Sequence, residues 1–400
     1  GISSVIAGGQ SNYVCNSTSG CLAYGAVVTG GVGNNTTGGT WSLASCAFTV
    51  APTPCNVGQY SFIGGGFQNR AGGNYNSVVG GFCNSTGTSG YTAIAGGFCN
   101  TASANYNFIG AGQNNCIIST GGMSILVGGY LNTVSSTYSF LGGGRSNLVS
   151  GACSVIVGGK SNTASGYISA IGGGQSNITS GSFTFVGGGN GVCATSCLAT
   201  AVGGANNRAS GARAFVGGGS ANTSSGYISV VVGGQANTAS GICSGVLGGR
   251  SNTASGNHSS VLGGCGNVIS GNCSGGGGVG ISGTCSSTFY WNNFCATSCM
   301  WAVAYFESSD ERLKDIHCTV GSCDSINPIY FKWKEGDASV INIGYSAQNV
   351  KEVLPHTIRT DEKGYYNVDY HQVHIYKITK LEERITQLED IIKKLSSCLG

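Results

Sequence analysis

Apolar and polar positions repeat along this chain with a strict period of 15 residues. A Gly-Gly pair is followed, after two residues, by Asn, which recurs at Asn132, Asn147, Asn162, Asn177, Asn207, Asn222, Asn237, Asn252 and Asn267, with Val192 filling the one gap. Nine residues after each Asn stands a second column: Leu141, Ile156, Ile171, Val186, Val216, Val231, Val246 and Val261, broken by Ala201. The residue two before this column is usually Ser, and the residue two after Asn is usually small or apolar. Alternation with period two over two short stretches predicts two short strands per repeat, with the Leu/Ile/Val column facing inward. Gly166, Gly181, Gly211, Gly226, Gly241 and Gly256 fall where the chain must turn, which glycine does at least steric cost.

Fifteen residues are too few for a helix pair and fit one coil of a β-solenoid, a mainly β fold. One coil cannot bury so thin an apolar column, so coils must stack. Earlier copies at Asn69, Asn84, Asn100 and Asn115 are spaced 15 or 16 apart, and copies near Asn12 and Asn34 are separated by insertions. About fourteen coils at a strand spacing of about 4.8 Å predict a rod of roughly 65 to 70 Å. The Gly- and Asn-rich repeats over roughly residues 60 to 275 resemble the heads of trimeric autotransporter adhesins, whose repeat is commonly one residue shorter. That resemblance implies a left-handed parallel β-roll, three rolls side by side.

Composition divides the chain into two materials. All 15 acidic residues lie at or after Glu307, while residues 1–306 carry only Arg70, Arg145, Lys160, Arg208, Arg213 and Arg250 as permanent charges. The first part is therefore +6 and the second, with 12 basic residues against 15 acidic, is −3, together the net +3. Such sparse basic charge could attract anionic glycans or headgroups, or be no more than a neutral, soluble surface, and it lacks the runs of a nucleic-acid binder. A glycosidase needs two carboxylates beside the sugar bond, which excludes one within residues 1–306. His258 is the one His in the repeats, an exposed loop residue by this reading, so a His-based triad or metal site is not expected there. No apolar run approaches the roughly 18 residues of a membrane span, and no signal segment opens the chain. The chain opens at Gly1 inside a repeat, which reads as a fragment of a longer polypeptide.

The 19 cysteines predict some disulfides. Cys15, Cys21, Cys46 and Cys55 crowd the irregular first stretch, and Cys83 and Cys99 hold one place in successive repeats. The CATSC segments at Cys193/Cys197 and Cys295/Cys299 lack the partners of a zinc site. Neither metal nor cofactor is expected. A Thr column at Thr133, Thr163, Thr223, Thr238 and Thr253 fits either an ice-binding ladder or ordinary solvation of an outer face. The sequons at Asn84, Asn177 and Asn257 are of the kind that chance supplies in so Asn-, Ser- and Thr-rich a chain.

From Phe306 the composition becomes that of a small conventional domain. Ser308-Ser309-Asp310-Glu311-Arg312-Leu313-Lys314-Asp315 is followed in order by Gly344-Tyr345-Ser346-Ala347-Gln348-Asn349-Val350, by Val353-Leu354-Pro355, and by Gly364 with Val368-Asp369-Tyr370. This order resembles the endosialidase-type intramolecular chaperone peptidases that end phage and viral tailspikes and fibres. The resemblance implies a catalytic Ser-Lys dyad at Ser309 and Lys314 and self-cleavage between Ser308 and Ser309. A serine hydroxyl needs a base, and a Lys can serve when burial or neighbours favour its neutral form. The competing reading of residues 310–315 is a solvated charged turn.

Ile378, Ile385 and Ile392 alternate with Leu381, Leu388 and Leu395 in clean heptads, a parallel coiled coil over 374–397. Ile at a with Leu at d favours two strands in isolated peptides, whereas the two resemblances imply three.

These readings expect an irregular Cys-rich segment over 1–58, β-roll repeats over 59–275, a Gly/Cys-rich connector over 276–306 and a self-cleaving α+β chaperone domain over 307–400. The expected function is a homotrimeric structural or adhesive fibre on a virion surface, extracellular in the mature particle. Its partners would be a host surface glycan or receptor and other virion proteins joined through a missing N-terminal region, with no nucleic acid, no membrane insertion and no activity on other substrates. The alternative is a cellular trimeric surface adhesin with a retained trimerisation cap, which a C-terminal membrane anchor would mark.

Overall fold

A computed structural model describes residues 3–14, 23–119, 121–291, 307–308, 311–319, 325–334, 341–361 and 364–399. The chain divides into two compact units, Gly1–Phe294 and Cys295–Gly400.

The first unit is a parallel β-solenoid. Its wider sheet stacks 18 two- to six-residue strands from Val5–Ile6 to Phe289–Trp291, and a second sheet stacks 15 from Arg70–Ala71 to Ser282–Gly283. A third ladder of single bridges runs from Gln10 to Cys265 along the residue after the Gly-Gly pair, or after Ala111-Gly112 at Gln113. Register is in phase from coil to coil, as in Val155↔Ala170 and Ile156↔Ile171 on the wide sheet and Thr163↔Ile178 on the second. Pairing therefore extends on both sides of residues 59–275.

Four columns face inward in each coil, for example Asn162, Ala164, Ser169 and Ile171, all 0–1% exposed. The Leu/Ile/Val column on the wide sheet meets a column on the other wall that is small over much of its length (Ala164, Thr179, Ala194, Ala209), and both are fully buried. Each buried Val or Ile contributes about 1.5–3 kcal/mol of hydrophobic stabilisation.

The buried Asn column is satisfied through a ladder of its own. Asn162 N donates to Asn147 Oδ1 at 2.9 Å, and its Nδ2 donates to Gly158 O at 3.1 Å and to Gly174 O, one coil on, at 2.9 Å. The ladder bridges both insertions, from Asn12 to Asn34 to Asn69. At Val192 it breaks: Val192 N still donates to Asn177 Oδ1, but the valine offers no acceptor to Asn207.

Glycine is needed for two different reasons. Gly159 has φ +95, and a Cβ there would stand 2.2 Å from Gly174 O, whereas one on Gly158 would meet nothing within 4 Å. Gly166, expected as a turn residue, does not have positive φ; it is glycine because a Cβ would lie 1.9 Å from Gly181 O. The left-handed residue of that corner comes two later, at Ile168 (φ 50), Phe183 (φ 57), Ile228 (φ 53) and the exposed His258 (φ 57), where a non-glycine residue is strained.

The outer faces differ in kind. Residues flanking the inward column on the wide sheet are apolar and exposed, including Phe108, Val157, Phe185, Val202, Val232 and Leu247. Phe108, Phe140, Phe185 and Phe215 are each followed two residues later by Gly: the Phe215 ring edge lies 3.3 Å from where a Gly217 Cβ would be. The charges lie elsewhere. Arg70 and Arg208 lie on the second sheet, and Arg145, Lys160 and Arg250 lie on the bridge column. Thr223, Thr238 and Thr253 stack consecutively on the second sheet, but Leu148, Ile178, Cys193 and Arg208 interrupt the rest of the Thr column.

The insertion after Asn35 forms two antiparallel pairings, Thr36–Thr37 with Thr53–Pro54 and Thr40–Ser42 with Ala47–Val50. Trp41 packs edge-on against Phe67 at 5.6 Å, the first ring of a stacked column Phe67–Phe82–Phe98. Trp41, Leu43, Phe48, Phe67, Gln68 and Phe82 are among the residues lining an open cleft of about 530 Å³.

The second unit has two three-stranded antiparallel sheets. One orders Lys314–Thr319, Pro328–Trp333 and Asn342–Tyr345; the other orders Glu307–Ser308, Tyr366–Val368 and Ile358–Thr360. Helices α1 (Ala347–Val353) and α2 (Tyr370–Leu399) complete it. Its core gathers Ile326, Ala347, Val350, Leu354, Val368 and Val373. The heptad residues of α2, Ile378 to Leu395, are all exposed on the single chain. Among the described residues no helix is long and apolar enough to cross a membrane.

Candidate functional site

Lys314 is the expected site residue that the fold places with most definition. It opens the strand Lys314–Thr319, pairs in register with Trp333, and is only 3% exposed. Its Nζ donates to Tyr345 O at 2.8 Å and sits 4.1 Å from the Phe331 ring centroid and 5.2 Å from that of Trp333. The amine is thus held in dry, electron-rich surroundings. For a base that must work as a neutral amine, loss of water is the helpful property, and the two ring faces are the opposing one.

Of the later segments singled out by sequence order, Gly344–Val350 reaches this lysine, and Tyr370 packs against that segment. Tyr345 supplies the carbonyl. Gly344 is glycine because a Cβ would stand 2.9 Å from Tyr370 Oη, and that hydroxyl accepts from Tyr345 N at 3.2 Å. Ser346 caps α1 by accepting from Asn349 N at 3.1 Å, with Ala347 and Val350 buried behind it. Asn349 Oδ1 accepts from Asn327 N at 3.0 Å, tying α1 to the strand that carries Phe331 and Trp333. Asp369, buried, caps α2: its Oδ1 accepts from Gln372 N at 3.2 Å. Val353-Leu354-Pro355 ends α1 and starts a short 3-10 turn.

Arg312 lies within the first of these motifs, and the fold shows what it does. Its guanidinium donates to Gly364 O and lies 4.8 Å from the Tyr365 ring centroid, so it ties the turn Glu311–Leu313 to the hairpin at Gly364 (φ 78). No spacing in the sequence signals Phe331, Trp333 or this arginine's partner, because the first two come from a neighbouring strand and the third from a distant hairpin.

Ser308 lies on a two-residue strand, opposite Asn367. Ser309 lies outside the described residues, as do Cys15, Cys21, Cys295 and Cys299. Among the described residues, no cluster of His, Cys, Asp or Glu could hold a metal ion.

The arrangement can hold one desolvated lysine rigidly beside the turn that follows a short strand. Neither a known protein family nor a curated protein matches this chain.

Proposed function

We propose that the chain is a homotrimeric structural and adhesive fibre of a virion surface whose C-terminal unit is an intramolecular chaperone that cuts itself between Ser308 and Ser309. The observation that carries this reading is that buried Lys314 donates to Tyr345 O, while Gly344 and Tyr345 pack in turn against the Tyr370 hydroxyl. Those residues belong to segments that resemble the chaperone peptidases, and nothing in a solvated charged turn requires them to meet.

In the proposed step Lys314 takes the proton of Ser309 Oγ, and the oxygen attacks the Ser308 carbonyl carbon. The amide C–N bond breaks as an ester to Oγ forms, and the freed Ser309 amine takes up the proton. Water then hydrolyses the ester. Pairing of Glu307–Ser308 with Tyr366–Val368 holds the acyl side of the bond, so proximity replaces substrate binding.

The rod supports the structural half of the reading. It is a stack of nearly uncharged coils with one apolar outer face, and parallel pairing over so many coils folds slowly and leaves edges that mispair. A C-terminal clamp of three α2 helices would set register, and its removal would leave the fibre kinetically trapped. For contact with a host glycan, the aromatic cleft beside Trp41 suits the flat face of a neutral saccharide, since none of the described residues lining it is charged.

Denaturing electrophoresis with intact-mass analysis tests the chemistry on freshly expressed parent, Ser309→Ala and Lys314→Ala. Fragments 1–308 and 309–400 are expected in the parent alone. An intact parent under assembly-competent conditions, or cutting that survives either substitution, overturns self-cleavage and leaves at most a trimerising cap.

A further inference from the structure

Cys83 and Cys99 stand one above the other in successive coils, each one residue before a ladder asparagine. The residues around them are in strict register. Phe82 bridges Phe98 with rings stacked at 5.0 Å, Cys99 N donates to Phe82 O at 2.8 Å, and Asn100 N donates to Asn84 Oδ1 at 3.0 Å. Both cysteines have left-handed backbone, φ 54 and φ 53, so their side chains leave the coil in the same direction. Neighbours stacked in a parallel ladder lie about 4.8 Å apart, inside the Cα separation of about 4.4–6.8 Å that a disulfide spans.

Two further observations bear on the pair. Both residues are partly exposed, so a small oxidant reaches them. The sulfurs also sense one another: burial pushes the Cys83 thiol up to about 11, and the neighbouring Cys99 adds to the rise by charge and by hydrogen bonding. No other two cysteines among the described residues share a column in adjacent coils. Cys116 lies between Thr101 and Thr133, and Cys193 between Ile178 and Arg208.

We propose that Cys83 and Cys99 form a disulfide that staples two successive coils where the Trp41 hairpin docks. The step is a two-electron oxidation. A thiolate of the pair attacks a small-molecule disulfide such as oxidised glutathione, releasing one thiol and leaving a mixed disulfide, and the second cysteine displaces the other. Two S–H bonds break, one S–S bond forms between the coils, and the two electrons and two protons leave with the glutathione thiols. With Cys83 protonated near neutrality, the reaction is slow there and speeds up as pH rises. Coil-to-coil contacts alone hold a solenoid, so a covalent link across one interface acts against local opening and fraying.

The test uses the full chain, reduced, desalted and then exposed to oxidised glutathione at mildly alkaline pH. Free thiols are blocked with iodoacetamide under denaturing conditions, and the product is digested with chymotrypsin. Cleavage after Phe82, Tyr91, Phe98 and Tyr106 puts the two cysteines on separate peptides, 83–91 and 99–106. The expected result is one cross-linked pair lighter by two hydrogens, absent after reduction and absent in Cys83→Ser. Blocked thiols at both positions in the oxidised parent, or a cross-link from either to a different cysteine, overturns the proposal.

Discussion

A buried primary amide is an expensive side chain unless all its groups are paired, and in this solenoid the amide does the joining between coils. Asn222 accepts at Oδ1 from Asn237 N at 3.0 Å and donates to Gly218 O at 2.8 Å and Gly234 O at 2.9 Å. Removing the amide strands the Asn237 N–H and the Gly218 carbonyl inside the coil, and an unsatisfied buried group costs about 1–3 kcal/mol. Asn222→Ala is therefore expected to destabilise by about 2–4 kcal/mol. The converse site is Val192, where the column offers Asn207 no acceptor. Val192→Asn is expected to raise stability by about 1 kcal/mol, the gain of the new hydrogen bonds outweighing the lost apolar contact. Thermal midpoints compared at one protein concentration and one scan rate check both. A neutral Asn222→Ala would show that the ladder is incidental to stability.

At the scale of one coil, the paired glycines separate steric demand from habit. Gly158→Ala places a methyl in open space, whereas Gly159→Ala needs positive φ and drives Cβ to 2.2 Å from Gly174 O. The first is expected to leave the far-ultraviolet circular dichroism and the melting point essentially unchanged. The second is expected to cost at least about 3 kcal/mol, since strain and a backbone clash add. Equal effects of the two would contradict the coil geometry. The coil itself was legible in the sequence because Ile156, Ile171 and Val186 keep one phase over many repeats, and inward columns cannot drift. The corner was not: Ile168 and Ile228 adopt left-handed backbone against the preference of a β-branched side chain, a choice imposed by the coils above and below. The Asn period was visible, but not that the amides reach backbone carbonyls in two coils, since those contacts exist only once coils stack. In the second unit Lys314 was singled out by motif order, while its aromatic walls Phe331 and Trp333 came into view only with the pairing of Lys314–Thr319 against Pro328–Trp333.

Over the whole molecule the distribution of outer residues bears on the proposed trimer. A soluble chain seldom leaves so long an apolar face open to water. On the wide sheet Val157 is 58% exposed and Val232 48% exposed, with Phe185, Val202 and Leu247 along the same face, while Arg145, Lys160 and Arg250 occupy the bridge column. If three rods pack side by side, the face to be covered is the wide sheet, and the bridge column stays in water. Val157→Glu with Val232→Glu puts two desolvated carboxylates into that contact, whereas Lys160→Glu changes charge outside it. Sedimentation analysis should give a trimer for the parent and for Lys160→Glu, and smaller species for the double variant. Unaltered circular dichroism in the double variant would show that the coils still form and that assembly alone was lost. A double variant that sediments like the parent would mean that the rods meet through another face or not at all. Because the exposed Ile378–Leu395 stripe of α2 lies in the other unit, the parallel variant Ile385→Asn separates the two contributions. If the clamp sets register and the rods then hold themselves, Ile385→Asn lowers the yield of trimer formed during folding. It leaves intact any trimer already assembled and cut.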